Sequence, residues 1–166
     1  LGVVFTGRPA GAMTGRGTGI DDAALNHKVA IINRALALHK PRADDPLGAL
    51  AAVGGLEIAG ITGFILAAAA ARRPVLLDGF IATAGALVAV RLAPAALDYL
   101  IPAHRSAESG HQIMLDYLKL SPLLNLKMRL GEGTGAVLGM GLLEAGVRIY
   151  REMATFEEAS VAGKKG

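Results

Sequence analysis

Two glycine-rich loops carry most of the chemistry this chain can offer. The first, Thr14-Gly15-Arg16-Gly17-Thr18-Gly19-Ile20-Asp21, leads into a stretch with helical periodicity. Glycines let successive backbone N–H groups turn toward one point, and a helix start adds about half a positive charge, so together they can cradle a phosphate. Arg16 and Lys28 could add full charges. The loop is not a Walker A motif, because no Gly-Lys-Ser/Thr ends it, and it lacks dinucleotide spacing. Asp21 and Asp22 would repel an anion unless they turn away as caps, and an ordinary glycine-rich connection remains the competing reading. The second loop, Gly131-Glu132-Gly133-Thr134-Gly135, sets a lone carboxylate among glycines. Glycine offers no packing and costs roughly 0.5–1 kcal/mol in a regular element, but it lets another molecule come close. Glu132 there suits a general base, or it merely caps the helix that follows.

Other chemistry-bearing residues are more ambiguous. His104, Glu108 and His111 recur at i, i+4 and i+7 and would share a face if the segment were one helix. That suggests a metal site, although the zincin order is absent and Ser109-Gly110 interrupts the helix. Ser106 beside His104 suggests a nucleophile, without the Gly-x-Ser-x-Gly elbow that would support it. Asp78 follows an apolar run and reads as a turn residue or as a strand-end site residue.

The elements that must hold these residues follow from punctuation and periodicity. Asp21-Asp22 are N-cap residues for a helix to about Lys40, with Leu25, Val29, Ile32 and Leu36 on one face. Asp44-Asp45-Pro46 opens a second helix to about Val53, and Gly54-Gly55 separates it from a third over 56–71. Residues 74–78 read as a buried strand, and a helix from Ala82 to Leu92 follows it. Residues 98–102 read as a second strand, and residues 108–120 as a helix. From Leu124 to Leu130 apolar residues alternate with Asn125, Lys127 and Arg129, which predicts a third strand. A helix from Gly135 to Met153 closes the pattern. Strands alternating with helices predict an α/β fold: a layered, Rossmann-like parallel sheet with flanking helices. Ligands in such folds sit beyond the carboxyl ends of the strands, where Asp78-Gly79, the His104–Gly110 segment and Gly131-Glu132-Gly133 all fall.

Composition bounds the remainder. The 166 residues suit one domain, 1–166, with 157–166 as a flexible tail. At 52% hydrophobic and 19% charged, the chain is too apolar for disorder. A mean hydropathy of +0.45 raises the question of a membrane. The longest uncharged runs, 58–71 and 79–90, fall short of the about 20 residues a spanning helix needs. No cysteine is present, which excludes disulfides, a thiolate nucleophile and an iron–sulfur cluster. No long apolar leader precedes Arg8 and Arg16, so a cytoplasmic address is expected. The net charge of +3 is scattered and aromatics are only 4%, which suits a small anionic ligand better than nucleic acid.

Six motifs occur in a recognisable order: Gly15-Arg16-Gly17-Thr18-Gly19-Ile20-Asp21-Asp22; Val53-Gly54-Gly55-Leu56-Glu57-Ile58-Ala59; Leu77-Asp78-Gly79-Phe80-Ile81-Ala82-Thr83; His104-Arg105-Ser106-Ala107-Glu108 with Gly110-His111; Arg129 through Ala136; and Met153-Ala154-Thr155-Phe156. In that order they resemble the nicotinate-nucleotide–dimethylbenzimidazole phosphoribosyltransferase family, from about residue 5 to about 158. Family members are about twice this length, so the resemblance implies a C-terminal portion whose N-terminal half is absent. Its helix-rich character is expected for the same reason.

The resemblance implies a reaction in the nucleotide-loop branch of cobalamin biosynthesis. A ring nitrogen of 5,6-dimethylbenzimidazole attacks C1 of the ribose of nicotinate mononucleotide with inversion, giving α-ribazole 5'-phosphate and nicotinate. The family's base maps onto Glu132. Leu130 maps onto a pocket wall, Gly131 and Gly133 onto substrate-binding positions beside the base, and Gly17, Thr18, Gly19 and Lys28 onto the phosphate-holding group. Neither metal nor other cofactor is implied, because the cationic nicotinate is already an activated leaving group. A homodimer is expected. A non-catalytic nucleotide-phosphate-binding fragment, inactive without an N-terminal half, is the alternative, and a metal hydrolase using His104, Glu108 and His111 is a third reading.

Overall fold

The computed structural model describes residues 1–17 and 19–160. Two short helices open it, α1 (Gly2–Thr6) and α2 (Ala10–Met13), neither anticipated from periodicity. Gly7 at φ 69° ends α1, a backbone state that glycine enters without steric cost. Helix α3 (Asp22–His39) begins where expected: the Asp21 carboxylate accepts the Ala24 N–H at 2.8 Å. Asp45 likewise accepts the Gly48 N–H at 2.9 Å to start α4 (Pro46–Val53). Each cap satisfies one of the helix's orphan donors. Helix α5 (Leu56–Ala70) follows Gly54-Gly55.

The chain then forms the predicted β–α–β unit. Strand β1 (Val75–Leu77) leads into α6 (Phe80–Leu92), a 3₁₀ turn over Pro94–Tyr99, and strand β2 (Leu100–Pro102). The strands pair in parallel, Val75 opposite Leu100 and Leu77 opposite Pro102. Helices α7 (Ser109–Leu118) and α8 (Thr134–Glu152) complete the order. Helices α5, α6 and α8 all pack against β1, so the fold is α/β with a small parallel sheet and flanking helices. Helix α6 is buried from Thr83 through Ala89, and with Ile65, Leu77 and Met114 it forms the centre of the core. Alanine and glycine make this possible. A Cβ on Gly85 would come within 2.6 Å of the Ile61 side chain, so α5 and α6 approach through a bare backbone.

The third predicted strand is not formed. Leu123 and Leu124 donate to the carbonyls of Pro102 and Ala103, and only a single bridge, His104 to Leu124, results. Lys127 at φ 54° turns the backbone out of extended geometry, which ends any ladder there. The alternation has no buried face behind it: Leu126 and Leu130 are 50% and 73% exposed. Period two therefore marked an extended strap lying beside residues 102–107. Among the described residues no helix is long and apolar enough to cross a membrane.

Glycine contacts separate two stability effects. Gly63 lies in α5 with open space where a Cβ would stand, whereas a Cβ on Gly110 would meet the Met13 carbonyl oxygen at 2.7 Å and the Met13 Cα at 2.9 Å. Urea denaturation should show Gly63→Ala stabilising by up to about 1 kcal/mol. Gly110→Ala should destabilise by about 1–3 kcal/mol, because backbone atoms cannot swing away.

Candidate active site

Three segments meet beyond the carboxyl ends of β1 and β2: Asp78-Gly79, the stretch from His104 to Glu108, and the bend Gly131-Glu132-Gly133. Their junction is Asp78. Its Oδ2 accepts the Gly133 N–H at 3.3 Å and its Oδ1 the Ala136 N–H at 3.1 Å. Helix α8 has no capping side chain of its own, so a carboxylate from the strand end caps it across the fold. Nothing in the local sequence around either residue signals this contact.

The bend itself is unusual. Gly131, Glu132 and Gly133 stand at φ 78°, 59° and 77°, three successive left-handed residues. For the two glycines this is easy; for Glu132 it costs roughly 1 kcal/mol. A strained carboxylate between glycines is where a functional side chain is worth seeking. Gly135 serves a different purpose, since a Cβ there would run into the His104 ring. That ring is buried, lies near Gly79, and holds Nε2 3.9 Å from Asp78 Oδ1; Nδ1 has no hydrogen-bond partner among the described residues. The glycine expected to admit a ligand instead admits His104.

His111 is fully buried and ties two of the segments together. The Ser106 N–H donates to His111 Nδ1 at 2.8 Å, so Nε2 carries the proton and donates to Thr83 Oγ1 at 2.9 Å. The Thr83 hydroxyl in turn donates to the Gly79 carbonyl at 2.9 Å. Burial, and then the neighbouring His104, push the His111 pKa down to about 4. With both nitrogens used in this network and the Glu108 carboxylate lying over Gly15, the triad weighed as a metal site is not assembled. Among the described residues no group of three or more His, Asp or Glu is placed to hold a metal ion. Ser106 is buried, its hydroxyl accepting the Glu108 N–H at 3.3 Å in a local turn rather than forming a nucleophile dyad.

One cavity of about 620 Å³ gathers the two loops. Gly15, Gly17 and Lys28 line it together with Arg129, Gly131 and Glu132; Asp78, His104, Ser106 and Glu108 line it as well. The face of α3 carrying Lys28, Ile32, Ala35 and Leu36 forms part of the wall, joined by Ile58, Phe80 and Met114. The first glycine-rich loop, an apolar wall and the Glu132 carboxylate thus share one space. Lys28 is anchored to its loop, Nζ to the Gly15 carbonyl at 3.4 Å.

Other expected residues sit differently. Thr18 lies outside the described residues. Gly19 does not line the cavity; its N–H is spent on the Arg16 carbonyl at 3.0 Å. Arg16, considered as a phosphate partner, pairs with Asp22 and donates to the Ile20 carbonyl at 2.9 Å. That pairing holds the Asp22 carboxyl below its ordinary pKa and resolves the repulsion expected from the Asp pair. Leu130 is largely exposed between two cavity-lining residues, and Gly133 gives its N–H to Asp78. Asp78 and Glu108 line the cavity, in keeping with the expectation that Asp78-Gly79 and the His104–Gly110 segment lie beyond the strand ends; what sequence did not show is the bond from Asp78 to the start of α8.

A family model described as Phosphoribosyltransferase, DBI_PRT, matches residues 1–161. The chain belongs to this phosphoribosyltransferase family. It is 60% identical over 161 residues to the nicotinate-nucleotide–dimethylbenzimidazole phosphoribosyltransferase of Chloroflexus aggregans, covering 97% of this chain and 46% of that protein. The protein of the same name from Geobacter sulfurreducens is 61% identical over 158 residues, covering 95% of this chain and 45% of its own length. Among solved structures, CobT from Thermus thermophilus matches with a TM-score of 0.91 and 46% identity over 97% of this chain and 48% of that chain. The member described here therefore spans about half the length of the relatives it matches.

The His111 network makes stability depend on pH. Its folded pKa of about 4 lies below the ordinary 6.5, so between those values the unfolded chain binds a proton that the folded chain does not. This contribution is intact above pH 6.5 and falls as pH drops toward 4, by at most about 1.4 kcal/mol per unit and about 3 kcal/mol in all. Unfolding measured from pH 7 to 4 should show that slope. His111→Asn, whose side-chain carbonyl can accept the Ser106 N–H without titrating, should flatten it.

Proposed function

We propose that this chain carries the phosphate-holding loop and the general base of a phosphoribosyl transfer from nicotinate mononucleotide to 5,6-dimethylbenzimidazole, giving α-ribazole 5'-phosphate and nicotinate in cobalamin biosynthesis. The observation that carries the reading is the shared cavity: Gly15, Gly17 and Lys28 line the same space as Gly131 and Glu132. Backbone amides and the Lys28 ammonium suit a phosphate, while the apolar wall suits a flat aromatic base. The names carried by the relatives point to the same two substrates.

In this reading the electron pair of one benzimidazole ring nitrogen forms a bond to C1 of the ribose as the C1–nicotinate bond breaks. The breaking bond's electrons pass to the pyridinium nitrogen, which becomes neutral, and C1 inverts. The proton on the other benzimidazole nitrogen goes to the Glu132 carboxylate. Gly17, Thr18 and Lys28 hold the 5'-phosphate so that C1 faces the incoming ring. Leu130, exposed at the cavity margin beside Gly131, folds over the aromatic base, and Gly131 and Gly133 leave room for it. We further infer a homodimer and a cytoplasmic address, in keeping with the family. Apolar side chains exposed along α8, Val137, Met140 and Ile149 among them, support association with further polypeptide.

Assayed in the complete protein, Glu132→Gln should lower kcat on the order of 10²–10⁴-fold while nicotinate mononucleotide still binds; an unchanged kcat would remove Glu132 as the base. Lys28→Met should weaken phosphate binding by about 10–100-fold, the loss of one charge-assisted hydrogen bond, with a smaller effect on kcat. Titrating the 166-residue chain with α-ribazole phosphate and assaying turnover separates catalysis from binding alone. Turnover by the isolated chain would exclude the non-catalytic alternative, whereas binding without turnover there, with turnover in the complete protein, would favour it.

A further inference from the structure

The bend that presents Glu132 is held from outside itself. Residues 131–133 all occupy left-handed backbone states, and no side chain of the bend or of α8 caps the helix that follows. The two N–H groups fixing the bend's exit, on Gly133 and Ala136, both end on Asp78, 55 and 58 residues earlier in the chain. Asp78 is in turn fixed from behind. It follows β1 directly, and His104, wedged against Gly79 and Gly135, brings Nε2 to within 3.9 Å of it. Asp78 also lines the cavity that Glu132 lines. A local Asp or Ser at position 133 would cap α8 equally well, yet that position is a left-handed glycine, and the acceptor comes from the sheet instead.

We propose that Asp78 is a positioning residue: its carboxylate, bonded to the amides on either side of the α8 start, sets the direction in which Glu132 meets the ring proton of the incoming base. This rests on Glu132 being the base. Bidentate acceptance matters, because two bonds fix both the height and the rotation of the bend relative to the sheet, whereas one would leave a hinge. An aspartate does this with both oxygens; an asparagine offers one acceptor and turns an NH₂ toward the second N–H. Geometric control of this kind acts on the chemical step and spares nucleotide binding, since Gly15, Gly17 and Lys28 belong to other segments of the cavity.

The test is a double-variant cycle in the complete protein with Asp78→Asn, Glu132→Gln and both together, combined with amide hydrogen exchange. Asp78→Asn is expected to lower kcat by 10-fold or more with the KM for nicotinate mononucleotide within about two-fold of the parent. It should also speed exchange at Gly133 and Ala136 at least 10-fold, and leave the residual rate of Glu132→Gln unchanged. Asp78→Glu, which keeps both acceptor oxygens, should recover part of kcat and serves in the same cycle if the asparagine variant does not fold. The proposal is overturned if Glu132→Gln is inactive yet Asp78→Asn retains the parental kcat, or if the two losses multiply, which would mean Asp78 acts on substrate directly. A fully active Glu132→Gln would instead overturn the base assignment on which the proposal stands, a separate and recognisable result.

Discussion

The fold's functional end depends on one carboxylate accepting two backbone N–H groups from a distant helix start. Asp78 stands where β1 stops, and the amides of Gly133 and Ala136 stand where α8 begins. Both groups are partly withdrawn from water, where an unmade bond would leave donors unsatisfied at a cost of about 1–3 kcal/mol. The contact joins the rigid β–α–β unit to the bend containing Glu132, and it joins them at the site itself. His104 fills the space behind it, and His111, through Ser106, Thr83 and Gly79, fastens the neighbouring segment to the same turn. Removing His111, which does not line the cavity, would disturb the geometry without touching a ligand.

Electrostatics in the cavity are mixed rather than uniformly positive. Lys28 and Arg129 face the same space as Asp78, Glu108 and Glu132. Arg16, the other basic residue of the first loop, is neutralised by Asp22. A cavity meant only for a polyanion would not carry three carboxylates. A small substrate that itself carries charges of both signs fits better. The proposed nucleotide, with a phosphate, a pyridinium nitrogen and a ring carboxylate, is compatible with such a mixed lining.

What was legible in the sequence divides along the range of the interactions. The starts of α3 and α4 were readable because Asp21 and Asp45 bond amides three residues away. The β–α–β unit was readable because Val75–Leu77 and Leu100–Pro102 are short, buried apolar runs bounded by turn residues. The strap at Leu124–Leu130 was misread because alternation implies a strand only when one face is covered, and covering is a tertiary fact. α1 and α2, at five and four residues, are too short to show a period at all. Gathering Glu132, Lys28 and Gly17 into one cavity came from motif resemblance rather than from spacing. The grip of Asp78 on α8 spans more than fifty residues and was invisible to any local pattern. The glycines of the second loop suggest close approach by another molecule, but what approaches Gly135 is the chain's own His104.

Helix α8 shows how such a grip can be exact without a large interface. The residues it buries are glycines, Gly135 and Gly139, one turn apart and so on one face. Gly135 meets the His104 ring, and a Cβ on Gly139 would stand 2.9 Å from the Ala103 Cβ, so backbone rests directly on the segment leaving β2. Long side chains with several rotatable bonds can yield by tenths of an ångström; glycine backbone seated on a buried imidazole and on an alanine Cβ has far less room to give. The first turn of α8 is thereby located by two bare contacts and one bidentate carboxylate, all within residues 133–139. Glu132 lies immediately before that turn. Its placement is therefore inherited from the sheet, and a left-handed conformation, unfavourable for an isolated glutamate, is sustained because everything on its C-terminal side is already fixed.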